Sequence, residues 1–107
     1  MDYWQRVDLE AATESQSATG AVVVDAWTAT AEDVEARILP VTSEEMLESW
    51  ATPEEEAYEI QLRGEWTGIS LKHRVTSGSD AYDIRRVLTP PPFGEPATIL
   101  HAVKVTP

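Results

Sequence analysis

Two histidines, nineteen carboxylates and no cysteine are the groups from which this chain of 107 residues could build a reactive site. Acid–base catalysis needs a titrating side chain held within hydrogen-bond reach of its partner. His73 stands in Lys72-His73-Arg74, between cations that disfavour its protonated form, and His101 falls in an alternating run where a hydrogen-bonded structural histidine is expected. No serine sits in a G-x-S-x-G turn, and neither G-x-x-x-x-G-K-[ST] nor G-x-G-x-x-G occurs. Without cysteine there is no thiolate metal site, no disulfide and no thiol nucleophile. The dense feature is acidic: Glu44, Glu45, Glu48, Glu54, Glu55 and Glu56 share the stretch 42–57, which has no basic residue. Carboxylates suit Ca²⁺ or Mg²⁺, but the spaced D-x-[DN]-x-[DN]-G loop is missing. A glycosidase pair cannot be singled out among so many glutamates. The expectation is no enzyme, no cofactor and no bound metal, with the cluster acting through its charge.

That charge is unevenly spread. The net is −11, yet residues 1–59 carry 15 acidic residues against Arg6 and Arg37, and residues 60–107 carry six basic against four acidic. One end or loop of the fold therefore bears a strong negative field, which argues against tight phosphate-backbone binding. The opening MDYWQRVDLE has neither the basic nor the apolar part of a signal peptide, and no apolar run is long enough to span a membrane. A soluble, single-domain protein made in a reducing cytoplasm is expected, with no membrane partner.

The elements that must position these side chains are strands. Apolar residues recur with period two in Val7–Ala11, Val34–Ile38 and Tyr58–Leu62, and again in Ser70–Val75, Ala81–Leu88 and Thr98–Val105. Ala21–Trp27, rich in β-branched residues, follows a turn-like SQSATG and reads as a hairpin partner of the first strand. The alternation slips at Arg85-Arg86, as it does at a β-bulge or a barrel corner. TSGSD (76–80) reads as a turn and TPPPFGEP (89–96) as a stiff extended connection. The fold class is mainly β: a small antiparallel barrel of SH3-like type, or else a sandwich.

One stretch interrupts the strands. After Pro40, Met46, Leu47 and Trp50 share a helical face, Thr42 and Glu45 have capping-box spacing, and Thr52-Pro53-Glu54-Glu55 repeats the start signal. Residues 42–57 read as a short helix plus an acidic loop inserted between strands. Of four tryptophans, Trp27 is expected in the core, whereas Trp4, Trp50 and Trp66 lie at element ends, where large aromatics often anchor subunits to one another.

The order of these pieces resembles the head–tail joining proteins of siphoviruses, the head-closure or stopper family. The resemblance rests on Arg6-Val7-Asp8-Leu9, the strand from Gly20 to Trp27, and Val34-Glu35-Ala36-Arg37-Ile38-Leu39-Pro40. It continues through the Ser/Glu-rich Ser43–Trp50, Ile60-Gln61-Leu62-Arg63, Tyr82-Asp83-Ile84-Arg85-Arg86-Val87 and the closing Ile99–Val105. It covers nearly the whole chain, and Y-D-I-x-x-V is its most specific piece. The 42–57 stretch departs from the family by its acidity and by lacking a basic stretch near the helix, which speaks against direct DNA contact there.

The resemblance implies a barrel with a long projecting loop, in a ring of about twelve copies around a channel. That ring would sit in the virion neck, between the portal with its adaptor ring and the tail terminator or tail tube protein. Double-stranded DNA would pass through without specific binding. On this reading Glu44, Glu45, Glu48, Glu54, Glu55 and Glu56 face the channel. Trp4, Trp50, Trp66, Arg63, Arg74, Arg85 and Arg86 lie at the ring interface, some of the arginines meeting the acidic first half of a neighbour. A tail terminator or tail-completion ring, and a small SH3-like protein-binding module, are the alternatives.

Overall fold

Side chains alternate between the two faces of a strand, so one apolar residue in two can fill a barrel from the inside. The computed structural model describes residues 4–16, 20, 22–42, 50–52, 54–64, 66, 68–88 and 97–105. Its strands are β1 (Gln5–Gln16), β2 (Val22–Pro40), β3 (Ala57–Arg63), β4 (His73–Ser77), β5 (Asp80–Leu88) and β6 (Ala97–Lys104). They pair antiparallel in the order β1-β2-β3-β6-β5-β4, and β4 returns to β1 to close a barrel. Every strand sends alternate residues inward: Val7 and Leu9, Val34 and Ala36, Ile60 and Leu62, Val75, Tyr82 and Ile84, Leu100 and Ala102. Tyr58 and Tyr82 meet edge to face at 5.3 Å beside this core.

The expected slip at the arginine pair is a β-bulge: the β5–β6 register breaks between Ile84 and Arg86. Gly78, at φ 61°, lies in the turn joining β4 to β5, where Ser77 pairs with Asp80. The first half departs from expectation. Ala21–Trp27 and Val34–Ile38 are not separate strands but parts of β2, which runs unbroken for 19 residues. Between the pairs Gln5–Ala36 and Gln16–Val22, twelve residues of β1 face fifteen of β2, so β2 absorbs the difference in three register shifts. Asp33 takes φ 54° at one of them, and its N–H is held by the Asp8 carboxylate at 3.0 Å.

β4 pairs with β1 only from Asp8 to Ala11, and β3 pairs with β2 only from Ala36 to Pro40. Beyond those limits β1 and β2 continue together as a two-stranded ribbon that leaves the barrel. The molecule accordingly measures 50 Å along one axis and 30 and 28 Å along the others. Trp27 is not in the core. It lies half-buried on the ribbon, with the Arg74 guanidinium 4.2 Å above its ring. The helix expected over Ser43–Trp50 lies outside the described residues except for Trp50, whose backbone is helical. The proline connection 89–96 lies wholly outside them.

Leu62 is fully buried at the barrel centre and Val87, past the bulge, is 39% exposed. Leu62→Ala should therefore lower unfolding stability by about 2–5 kcal/mol and Val87→Ala by less than about 0.5 kcal/mol. Urea titration followed by circular dichroism reads both.

Candidate assembly surfaces

Residues 41–56 connect β2 to β3, and the described limb that leads into β3 is fastened to the barrel's outer wall. Trp50 is 7% exposed and packs with Ala57 and Val103 in a small second cluster, against Val41 and Ala51. Its indole stacks on His101, ring centres 4.8 Å apart and planes 17° from parallel. β6 is therefore buried on both faces from Leu100 to Val103. The sequence held a signal for this, because Ile99-Leu100-His101-Ala102-Val103 offers no charged face to water.

The bulge supplies the second fastening. Arg85, released from the β5–β6 register, donates to the Trp50 carbonyl at 3.1 Å and forms an ion pair with Glu55 at 2.6 Å. Glu55 also accepts the Thr52 N–H at 2.9 Å, while its own N–H donates to the Thr52 carbonyl at 3.1 Å. The Thr-x-x-Glu spacing thus makes the back-bond of a capping box, but around a turn that leads straight into β3. The Thr52 N–H and the Arg85 charge hold the Glu55 carboxyl below its ordinary range against the opposing effect of burial. Glu55 is therefore a charge compensated within its own subunit. Glu54 is exposed, and Glu56 stands 4.0 Å from Lys104, itself 3.6 Å from Asp80. Glu44, Glu45 and Glu48 lie outside the described residues.

Three arginines of the second half, Arg63, Arg74 and Arg85, meet acids of the first half inside one subunit. Arg74 pairs with Glu10 at 2.6 Å across β4 and β1, both side chains largely shielded. Arg63 pairs with Glu35 at 2.7 Å across β3 and β2. Arg85 ties the return limb as described, and Arg86 is exposed on β5. Trp4 is half-buried, with Arg37 4.2 Å and Arg63 5.8 Å from its ring centre. Trp66 packs against the core, and its indole N–H donates to the Arg63 carbonyl at 2.9 Å. Of the seven residues expected at a ring interface, Trp50 is used by its own fold and offers a neighbour little area. Trp4, Arg63, Arg74 and Arg86 hold the outer surface.

The two histidines differ. His73 Nδ1 accepts the Ser70 N–H at 3.1 Å and lies 3.2 Å from the Ser70 hydroxyl, closing the turn before β4. His101 is 5% exposed, and neither ring nitrogen has a hydrogen-bond partner among the described residues; the Glu59 carboxylate, at 3.8 Å, is too far. The expected hydrogen-bonded histidine is thus a stacked one. Burial, with a smaller contribution from Arg86, lowers its pKa against the pull of Glu59. Among the described residues no three His, Asp or Glu side chains converge as a metal site.

The family model of the phage head completion protein matches residues 2–100. A chain of the virion of a native gene transfer agent particle has the same fold, with a TM-score of 0.69 over 98% of both chains at 19% identity. No curated protein matches.

Because His101 is neutral in the fold and protonates more readily once unfolded, the unfolded state takes up its proton first as pH falls. Stability should hold above about pH 6.5 and decline below it as pH approaches the lower folded pKa. His101→Phe keeps an aromatic face for Trp50 and should remove this dependence between neutral pH and the carboxylate range. Urea midpoints across that range provide the measurement.

Proposed function

Since the chain belongs to the phage head completion protein family, a structural component of phage-like virions at the head–tail interface, we propose that it acts as the stopper ring there. About twelve copies encircle the channel in a closed cyclic assembly. One face meets the portal and adaptor and the other receives the tail terminator or tail tube. Packaged DNA is retained by the 41–56 excursions converging on the axis, and the tail docks on the ring that carries them.

The observation behind this reading is the way the excursion is mounted. Trp50 and Arg85 pin its return limb, and β2 pairs with β3 immediately below it, from Ala36 to Pro40. A segment fixed at its base and crowded with glutamates is suited to stand in a pore without adhering to what passes. DNA carries about one negative charge per 1.7 Å of axis. A ring multiplies the carboxylates of Glu44, Glu45, Glu48 and Glu54 into a collar that repels phosphates and keeps the duplex centred. Glu55 and Glu56 contribute less, since Arg85 and Lys104 stand against them. Retention is then steric, and electrostatics keeps the later exit free of sticking.

Neutralising Glu44, Glu45 and Glu48 together to Gln should slow DNA ejection from otherwise normal particles and make it more salt-dependent. Ejection followed by dye uptake in real time provides the readout. Unchanged kinetics and unchanged salt dependence would remove the collar from the account.

A further inference from the structure

Backbone pairing closes the barrel, and the longest open edge among the described residues is that of β2 on the β1–β2 ribbon. No described strand pairs with the outer side of β2 between Val22 and Glu35, or with that of β1 from Thr13 to Gln16. The last contact on the β1 side is the Ala12 N–H donating to the Lys72 carbonyl at 3.2 Å. Five residues of β1 past Ala11 carry the ribbon about 17 Å beyond the barrel. A free two-stranded ribbon is marginally stable in water, and exposed edges are usually blunted by charge, above all lysine, by proline or by bulges. From Val22 to Ala36 there is no Lys, Arg or Pro, and the charges are the acidic Asp25, Glu32, Asp33 and Glu35.

Resting on the ring reading, we propose that the outer edge of β2 in one copy pairs with the outer edge of β1 in the next, so that neighbouring ribbons join into one continuous antiparallel wall. The two edges belong to different strands, so each copy donates one and receives the other. Such a heterologous contact propagates around a ring, whereas β2 on β2 would saturate as a dimer. Strand direction fits without turning a copy over. β1 and β2 run in opposite senses, so a β2 placed beside the next β1 in a rotationally related copy is antiparallel.

Charge agrees with this pairing. Glu32 and Asp33 of β2 are acidic, whereas Lys72 stands where the β1 edge leaves the barrel; Arg74 beside it is already paired with Glu10 in its own copy. The three register shifts coil the ribbon, and local coiling is what a sheet needs to curve into a closed wall. The occupant is therefore a second copy of this chain.

The chain has no cysteine, which makes single-cysteine cross-linking unambiguous. Copies bearing Ala12→Cys and differently tagged copies bearing Ala26→Cys would be co-assembled into particles and treated with a short bismaleimide. Mixed pairs should form in several-fold excess over like pairs. In parallel, Ala26→Lys with Ala29→Lys, both at exposed positions, should leave the circular dichroism of the free chain unchanged and abolish its incorporation. Rings that form without mixed cross-links, a predominance of Ala26→Cys like pairs, or normal incorporation of the lysine variant would each overturn the edge pairing while leaving the ring intact. Particles that contain this chain as isolated copies would overturn the ring reading as well.

Discussion

Closure of the barrel by backbone hydrogen bonds governs everything else in this molecule. Once β4 pairs back onto β1, every strand in the barrel has two neighbours and the interior is filled by Leu9, Ile60, Leu62, Leu100, Val7 and Val75. Where it is closed, such a body has no strand edge to offer. Contact with other proteins or with DNA must come from what leaves the barrel or from side chains on its outer wall. Among the described residues the β1–β2 ribbon leaves it, and the acidic stretch between β2 and β3 begins and ends on it. On the stopper-ring reading proposed above, this division provides separate parts for separate contacts.

The uneven charge of the sequence has its explanation in the same architecture. The acidic first half and the basic second half are neighbours around the barrel, because β1 lies beside β4 and β2 beside β3. Glu10 with Arg74, Glu35 with Arg63 and Glu55 with Arg85 tie the halves together. The solvent-open pairs Glu35–Arg63 and Glu55–Arg85 contribute about 0–1 kcal/mol each, so they orient the wall more than they hold it, while the more shielded Glu10–Arg74 joins β1 to β4. The pair on Arg85 matters most for position, because the same guanidinium grips the Trp50 carbonyl and fixes where the excursion rejoins the barrel.

Much of this was legible in the residues, and the limits have physical causes. Period-two alternation located the barrel strands because each has a buried face to enforce it. The broken alternation at Arg85-Arg86 marked the bulge. The continuity of β2 was hidden, since a ribbon outside the core has no buried face and its bulges shift the phase. Trp27 read as core for the same reason: a strand was seen, but not that it had already left the barrel. Trp50 read as an anchor for a neighbour because its cover on His101 is formed by a segment some fifty residues away. Some arginines were expected to meet acids of a neighbour, and Arg63, Arg74 and Arg85 have acidic partners in their own chain. Pairing across strands depends on topology, which alternation alone does not give.

If this chain encircles the DNA path with its acidic excursion turned inward, a cryo-electron microscopy reconstruction of the neck in DNA-filled particles will show a closed ring of copies next to the adaptor, with residues 41–56 nearest the axis and ribbons joined edge to edge. Copies whose excursion points away from the channel, or that sit outside the neck, would contradict it.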